Sequence, residues 1–127
     1  MYGRVYNFIE DLFDYKEDMN YLILELSKMK SDEFFLYFYF IYMKEPSKEC
    51  LIGRDKESHI VLKEQHSSRV HAGIIYKKDN FFIYDKKSKF GTLIMNEKQK
   101  VKINKDYTNL LIGGVKIQAH MKLKSEK

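Results

Sequence analysis

From Leu51 to the end of the chain, short apolar and β-branched runs alternate with turn residues about every 8 to 12 positions, which is typical of an all-β sandwich. Asp79-Asn80 separates two such runs, residues 73–77 and 81–85, and Gly113-Gly114 separates the last two. Both pairs tolerate the left-handed backbone of tight hairpins. We expect the final strand to bury one face, because apolar and polar residues alternate along it. Its apolar members are Val115, Ile117, Ala119 and Met121.

The most apolar stretch of the chain, residues 34–43, has ten consecutive apolar or aromatic residues between Glu33 and Lys44. As a helix it would span roughly 15 Å, half of the ~30 Å that a bilayer core requires, so no membrane span is predicted. Aromatic and β-branched runs of this length favour strands. We therefore expect a buried first strand of the sandwich, with Pro46 breaking the chain before the next strand.

The N-terminal segment shows apolar spacing of a different kind. Its apolar residues recur at the positions of one helical stripe, which predicts a short amphipathic helix, and a similar stripe from Met19 to Leu26 predicts a second or continuing helix that ends near Lys30. We expect three regions: an acidic helical extension (1–33) that packs on the sandwich or docks to another protein, the sandwich (34–122), and a basic tail (123–127). The first stripe consists of Val5, Phe8, Ile9, Leu12 and Phe13.

Charge is distributed unevenly along the chain. Residues 1–33 carry four Lys or Arg against eight Asp or Glu, and residues 34–127 carry nineteen against ten, so the body has a net charge of +9. Such a body attracts phosphate groups of phosphopeptides, RNA or anionic membranes alike, so charge does not select the ligand. The single cysteine, Cys50, excludes an internal disulfide and favours an intracellular, reducing compartment that the sequence does not specify.

Three short runs, residues 51–54, 67–72 and 85–92, are informative as an ordered set. The runs are Leu51-Ile52-Gly53-Arg54, then Ser67-Ser68-Arg69-Val70-His71-Ala72, then Asp85-Lys86-Lys87-Ser88-Lys89-Phe90-Gly91-Thr92. In this order they resemble the signature of the forkhead-associated (FHA) domain. The resemblance covers roughly residues 34–122. It implies a β-sandwich of two antiparallel sheets that binds phosphothreonine peptides at its loop end and has no catalytic activity.

The resemblance also implies roles for residues in the first two runs. Arg54 matches the arginine that is a principal phosphate ligand in the family, and a guanidinium offers paired donors that suit phosphate. Gly53 leaves room for a close backbone approach. Ser68, favoured over Ser67, would donate its hydroxyl to a phosphate oxygen, with Arg69 beside the peptide or the phosphate. His71 matches a position that braces the binding loops.

The third run departs from the family pattern at Phe90, where the family usually has an asparagine that bonds the main chain of the bound peptide. Losing those bonds costs on the order of 1 to 3 kcal/mol, or about 5- to 150-fold in affinity. Lys89 stands where a small hydroxyl donor is common, and its charge offsets part of the loss. We expect Gly91 and Thr92 to shape the turn.

Catalytic and metal sites are weaker interpretations. Ser68, His71 and Asp85 are the residue types of a hydrolase triad, but Ser68 lies in no nucleophile elbow, and residues three apart on an extended strand point to opposite faces. We expect neither an enzyme nor a metal or other cofactor. The histidines lack the spacing of metal ligands and are interpreted as surface or loop residues. They are His59, His66, His71 and His120.

Two functions remain open at this stage. One is an adaptor that binds phosphothreonine-containing partner proteins. The other is a phosphate-independent accessory subunit of a larger assembly, which Phe90 and the acidic N-terminal segment favour. Nucleic-acid binding is disfavoured, because the basic residues are scattered and do not form a stripe with stacking aromatics.

Overall fold

A computed structural model describes residues 5–13, 19–45, 48–63, 69–86, 92–94, 100–112 and 115–123. All regular structure in these ranges is β-strand. The strands are β1 (Val5–Leu12), β2 (Tyr21–Lys30), β3 (Glu33–Tyr42), β4 (Cys50–Gly53), β5 (Ile60–Val61), β6 (Ala72–Lys77), β7 (Asn80–Asp85), β8 (Thr92–Ile94), β9 (Lys100–Ile103), β10 (Thr108–Ile112) and β11 (Val115–Lys122).

The strands form two sheets that share one apolar core. One sheet has six strands in the order β1-β3-β2-β11-β10-β8, and the other has five in the order β5-β4-β6-β7-β9. Both sheets are mixed, so the expectation of two purely antiparallel sheets is wrong: β1 runs parallel to β3, and β5 runs parallel to β4. The connections explain the parallel pairs. β2 carries the chain back before β3 begins, so β1 and β3, which are neighbours, run in the same direction. The loop after β4 likewise carries the chain back before β5 begins.

The N-terminal helices predicted over residues 1–33 are not present in the described part of that segment, which forms β1 and β2. In β1, apolar residues occur on both faces of a sheet edge, so their spacing imitates a helical stripe. In β2, Leu22, Leu24 and Leu26 occupy alternate positions and face the core, while Ile23 and Glu25 lie between them on the other face. β2 lies between β3 and β11, with ten residue pairs to β3 and seven to β11. Long-range pairing therefore overrides the local periodicity.

The apolar stretch 34–43 is a strand, as predicted, but it is the third strand and is only half-buried. Within β3 only Ile41 and Tyr42 are buried, and the other eight residues keep partial access to solvent. Its position next to the edge strand β1 accounts for this difference. Tyr37 and Tyr39 pack against the core from this strand.

Two hairpins are built on paired left-handed residues. Lys78 and Asp79 have φ angles of 50° and 64°, so the predicted β6–β7 turn lies one residue earlier than Asp79-Asn80. Ser31 and Asp32, with φ angles of 52° and 62°, join β2 to β3 in a hairpin that the sequence analysis did not predict. Gly113-Gly114 lies outside the described residues, although β10 and β11 on either side of it pair antiparallel.

The last strand follows the predicted alternation with one exception. Val115, Ile117, Ala119 and Met121 are buried in the core, while Lys116 and Gln118 are exposed. The exception is His120, which is buried although it lies on the polar side. Its ring packs against Tyr107, with centroids 4.3 Å apart. Of the predicted basic tail, only Leu123 lies within the described residues.

Candidate functional site

The end of β4 and the start of β6 lie side by side, because these strands are antiparallel neighbours with Ile52 opposite Ala72. The N–H of His71 donates to the carbonyl oxygen of Ile52 at 2.8 Å, so the pairing continues beyond the start of β6. Arg54, which follows β4, therefore lies at the same end of the sheet as Arg69, which precedes β6. Both arginines are exposed.

A close backbone contact, which we call the Gly53–Arg69 contact, joins these two segments. A Cβ atom at Gly53 would lie 2.1 Å from the carbonyl oxygen of Arg69, so only glycine fits this position. The same carbonyl accepts a hydrogen bond from the N–H of Asp55 at 3.1 Å, and the carbonyl of Gly53 accepts one from the N–H of Leu62 at 2.7 Å. The residue between Gly53 and Asp55 is Arg54, so its backbone position is set from both sides.

The loop after Arg54 is further ordered by two of its own side chains. Asp55 accepts the N–H of Glu57 on Oδ1 at 3.0 Å, and its carbonyl accepts the N–H of Ser58 at 2.9 Å. Ser58 is only 8% exposed, and its hydroxyl donates to the carbonyl of Arg69 at 3.5 Å. Ser58 was not among the predicted site residues, although an aspartate followed by polar residues signals such a turn. The loop therefore presents Arg54 from a hydrogen-bonded frame.

His71 connects three strand ends from inside the domain. Its side chain is completely buried, and its carbonyl accepts the N–H of Lys86 at 2.9 Å. Its Nε2 lies 4.0 Å from Oδ1 of Asp85. Since the N–H of His71 also bonds β4, this residue joins the ends of β4, β6 and β7. A fully buried imidazole is not available to a ligand in solvent.

The interpretation of the histidines as surface or loop residues is therefore wrong for His120, which is buried within β11, whereas His71 does lie in a loop but is also buried. An imidazole has an apolar body that packs well, so polarity alone did not place these side chains. His59 is exposed and follows the loop, as expected, and its Nδ1 accepts the N–H of Leu51 at 2.9 Å. Its ring also contacts that of Phe13, with centroids 5.1 Å apart.

Positive charge predominates at this loop end. Beside the two arginines, Lys56 and Lys63 are exposed, against the carboxylates of Asp55 and Glu57. Lys86 differs, because its Nζ lies 2.7 Å from Oε1 of Glu49 and its charge is paired. The described cations with the most direct access to a ligand at this end are therefore on the loops before and after β5.

The structure brings together four of the predicted site residues: Gly53, Arg54, Arg69 and His71. The others lie outside the described residues, except Thr92, whose backbone begins β8. Their roles stay predictions. They are Ser67, Ser68, Lys89, Phe90 and Gly91.

Metal chemistry finds no support in the described ranges. They contain no group of three or more His, Cys, Asp or Glu residues placed to hold a metal ion. Cys50 is completely buried, and burial raises the pKa of its thiol to about 12, which opposes the thiolate form that metals bind. None of the described segments forms a helix that is long and apolar enough to cross a membrane.

Comparison with protein families gives one match. The family model described as the FHA domain matches residues 50–115, just over half of the chain, and this range includes every predicted site residue. No protein with a curated description matches the chain by sequence.

Several solved structures share the fold. One is an FHA domain from structural and functional work on phosphothreonine-dependent FHA domain interactions, with a TM-score of 0.60, 20% identity, and coverage of 80% of this chain and 97% of that one. Another is the FHA domain of the CT664 protein from Chlamydia trachomatis, with a TM-score of 0.59, 19% identity, and coverage of 79% and 96%. A third is the FhaA FHA domain complexed with the intracellular domain of Rv3910, with a TM-score of 0.57, 19% identity, and coverage of 78% and 99%.

Proposed function

This chain belongs to the FHA domain family, and we propose that it binds phosphothreonine-containing segments of partner proteins at the loop end of its sandwich, without catalysis. The observation that carries the proposal is the Gly53–Arg69 contact, which puts two exposed arginines on adjoining segments. A phosphorylated threonine carries about −1.5 to −2 charges and three strong acceptor oxygens. Two guanidinium groups at one loop end suit such a ligand.

In this proposal Arg54 is the principal phosphate ligand, because a guanidinium supplies two parallel donors to phosphate oxygens. Arg69 contacts the phosphate or the adjoining peptide, and Ser68 adds a neutral hydroxyl donor. Lys89 contributes charge from the third loop. Gly53 and His71, together with Gly91 and Thr92, hold the loops in position.

The comparisons support this proposal at the level of the family. FHA domains are interaction modules and are generally non-catalytic, and one structural neighbour comes from work on phosphothreonine-dependent interactions. Another neighbour is complexed with the intracellular domain of a second protein, which agrees with a partner-binding role. Since its single cysteine is unpaired and buried, we place the activity of this chain inside the cell.

The test is a titration of fluorescent phosphothreonine peptides, with the same peptides unphosphorylated or carrying phosphoserine, against the wild type and Arg54→Ala. Charge-assisted hydrogen bonds contribute about 1.5 to 3 kcal/mol, so Arg54→Ala should weaken binding by about 10- to 150-fold. The matched control is Lys77→Ala, which removes an exposed charge at the opposite end of β6 and should leave binding unchanged. Equal binding by Arg54→Ala, or no binding by the wild type below millimolar concentration, contradicts the proposal.

A second candidate function is a phosphate-independent accessory subunit that uses the sandwich as a docking body. Exposed apolar residues on β1, among them Val5 and Ile9, favour it, as does Phe90 in place of the family asparagine. Isolation of the tagged chain with and without phosphatase treatment separates the two functions. Partners that Arg54→Ala retains after phosphatase treatment support the accessory role. Partners that the wild type loses on phosphatase treatment, and that Arg54→Ala loses without it, support phosphate recognition.

A further inference from the structure

The outer face of the five-stranded sheet carries lysines and aromatic rings on neighbouring strands. Alternate residues of β7 and β9 are buried in the core, so the residues between them point outward. On β7 the outward residues include Phe82 and Tyr84, which are half-buried, and on β9 they are Lys100 and Lys102, which are exposed. We call these four residues the lysine–aromatic face. Lys102 lies opposite Phe82 and Lys100 lies opposite Tyr84, so each ring has a lysine beside it.

The two rings are positioned to stack flat groups. Because Phe82 and Tyr84 are two residues apart on one strand, their side chains leave the sheet about 7 Å apart. The end of the Tyr84 ring lies over Gly73 on β6, where an added Cβ atom would be 2.8 Å from it. The ring therefore leans over a neighbour that has no side chain and turns one face to solvent. The spacing of the rings is about twice the 3.4 Å rise of stacked nucleotides, so each ring can receive a separate base of an extended strand.

Positive charge predominates on this face within the described residues. The outward residues of β6, β7 and β9 include Lys77, Lys100 and Lys102 but no aspartate or glutamate. The carboxylate of Glu49, just before the adjoining strand β4, is paired with the ammonium of Lys86 at 2.7 Å. In the sequence the lysines are scattered, but the pairing of β7 with β6 and β9 brings them beside the rings. The sheet thus forms a group of basic and aromatic residues that the sequence does not display.

We propose that the lysine–aromatic face binds single-stranded nucleic acid, whose bases stack on Phe82 and Tyr84 while its phosphates contact Lys100 and Lys102. Proteins that bind single strands without sequence preference combine aromatic platforms with cations that follow the phosphate backbone. The Nζ of Lys100 lies 5.1 Å from the centroid of the Phe82 ring. Stacking of a base on an aromatic ring is stronger than an exposed cation–π contact, so the base displaces this ammonium, which stays within reach of the adjoining phosphate.

Other anionic ligands match this face less completely. A duplex keeps its bases stacked on one another, so neither ring would receive a base. A membrane-binding surface buries protruding apolar side chains among the lipids, whereas both rings are half-buried in the sheet. An acidic peptide would pair with the lysines but has no flat base for each ring. Single-stranded nucleic acid is the ligand that uses the rings and the lysines together.

Fluorescence anisotropy of a labelled oligothymidylate of about ten nucleotides, titrated with the full chain at several salt concentrations, tests the proposal. Phe82→Leu removes a stacking platform and should weaken binding about 5- to 150-fold without changing the salt dependence. Phe82→Tyr keeps the ring and should bind like the wild type. Lys102→Ala removes one phosphate contact and should lower the magnitude of the slope of log affinity against log salt concentration by about 0.7.

Two controls separate this face from general charge attraction and from folding defects. Lys116→Ala is the matched variant, because it removes an exposed lysine from β11 in the other sheet and should leave the salt slope unchanged. An abasic strand of the same length keeps the phosphates without the bases, and the folded wild type should bind it more weakly than the oligothymidylate.

The proposal is overturned if the wild type does not bind the oligothymidylate below millimolar concentration at low salt. It is also overturned if the wild type binds the abasic strand, phosphatidylserine vesicles or polyglutamate as tightly, or if Lys116→Ala changes the salt slope as much as Lys102→Ala. Arg54 lies on none of the strands β6, β7 and β9, so a failure of phosphothreonine recognition would leave this proposal standing.

Discussion

Replacement of Gly53 by alanine tests how closely the loop end is held together. The added Cβ would lie 2.1 Å from the Arg69 carbonyl oxygen and 3.0 Å from the Cα of Val70. Both are backbone atoms, so the two segments must separate by about 1 Å to restore ordinary contact. That movement breaks the 3.1 Å bond between the N–H of Asp55 and Arg69, at about 1 kcal/mol, in addition to about 1 to 3 kcal/mol for overpacking.

The entropy that alanine removes from the unfolded chain offsets about 0.5 kcal/mol of this loss. We therefore expect Gly53→Ala to lower the free energy of unfolding by about 1.5 to 3.5 kcal/mol, and the melting temperature by roughly 5 to 15 °C for a chain of this length. Urea unfolding followed by circular dichroism measures the first quantity, and calorimetry measures the second.

Gly73→Ala provides the matched comparison within the same sheet. Its Cβ would meet the end of the Tyr84 ring at 2.8 Å and the Glu49 carboxylate at 3.0 Å, and both are side-chain ends that can move. We expect a loss below about 1 kcal/mol. If the two variants lose the same free energy, or if Gly53→Ala unfolds like the wild type, then the Gly53–Arg69 contact does not hold the loops as described.

Three further predictions concern other parts of the chain. Phe90→Asn should tighten phosphothreonine-peptide binding by about 5- to 150-fold in a titration, and unchanged affinity would argue against the proposed backbone contact. Cys50 should react with a thiol reagent roughly 30- to 60-fold more slowly in the folded chain than in urea at equal pH, because burial raises its pKa from 9.0 to about 12 and the greater nucleophilicity of a more basic thiolate offsets only part of the lost thiolate fraction; comparable rates would exclude that burial. Burial lowers the pKa of His120 below 6.5, so the free energy of unfolding should fall as the pH drops below 6.5. His120→Phe, which keeps the packing on Tyr107, should reduce this pH dependence in urea titrations, and an unchanged pH dependence would contradict the role of His120.

The sandwich itself was predictable because its signals are local. Residues 72–85 and 115–122 show strand runs separated by turn residues, and the alternation along β11 correctly assigned the buried face. The β6–β7 turn was placed one residue late, because Asp79 and Asn80 both suit a turn and only the strand register distinguishes Lys78-Asp79 from Asp79-Asn80. Such a register depends on pairing between strands, which the sequence does not display.

The N-terminal segment was mispredicted for a physical reason. A strand at a sheet edge can carry apolar residues on both faces, and the spacing of Val5, Phe8, Ile9 and Leu12 then matches a helical stripe as well as a strand. The Ser31-Asp32 turn between two apolar runs was the available signal for the β2–β3 hairpin.

At the loop end, the resemblance to the family identified Gly53, Arg54 and Arg69, but nothing in their spacing indicates that the carbonyl of Arg69 meets Gly53. That contact arises from the antiparallel pairing of β4 with β6, which joins residues far apart in the chain. Ser58 was missed for the same reason, because its hydroxyl bonds a carbonyl eleven residues away.

The most direct test of phosphothreonine recognition is an amide chemical-shift titration of the ¹⁵N-labelled chain with a phosphothreonine peptide and its unphosphorylated form. We expect saturable shifts at Arg54, Asp55 and Arg69 with the phosphorylated peptide only, and unchanged amides at Lys78 and Asp79 in the hairpin at the other end of β6. Shifts that are equal for both peptides, or that centre on the 78–79 hairpin or on β1, would contradict binding at the loop end.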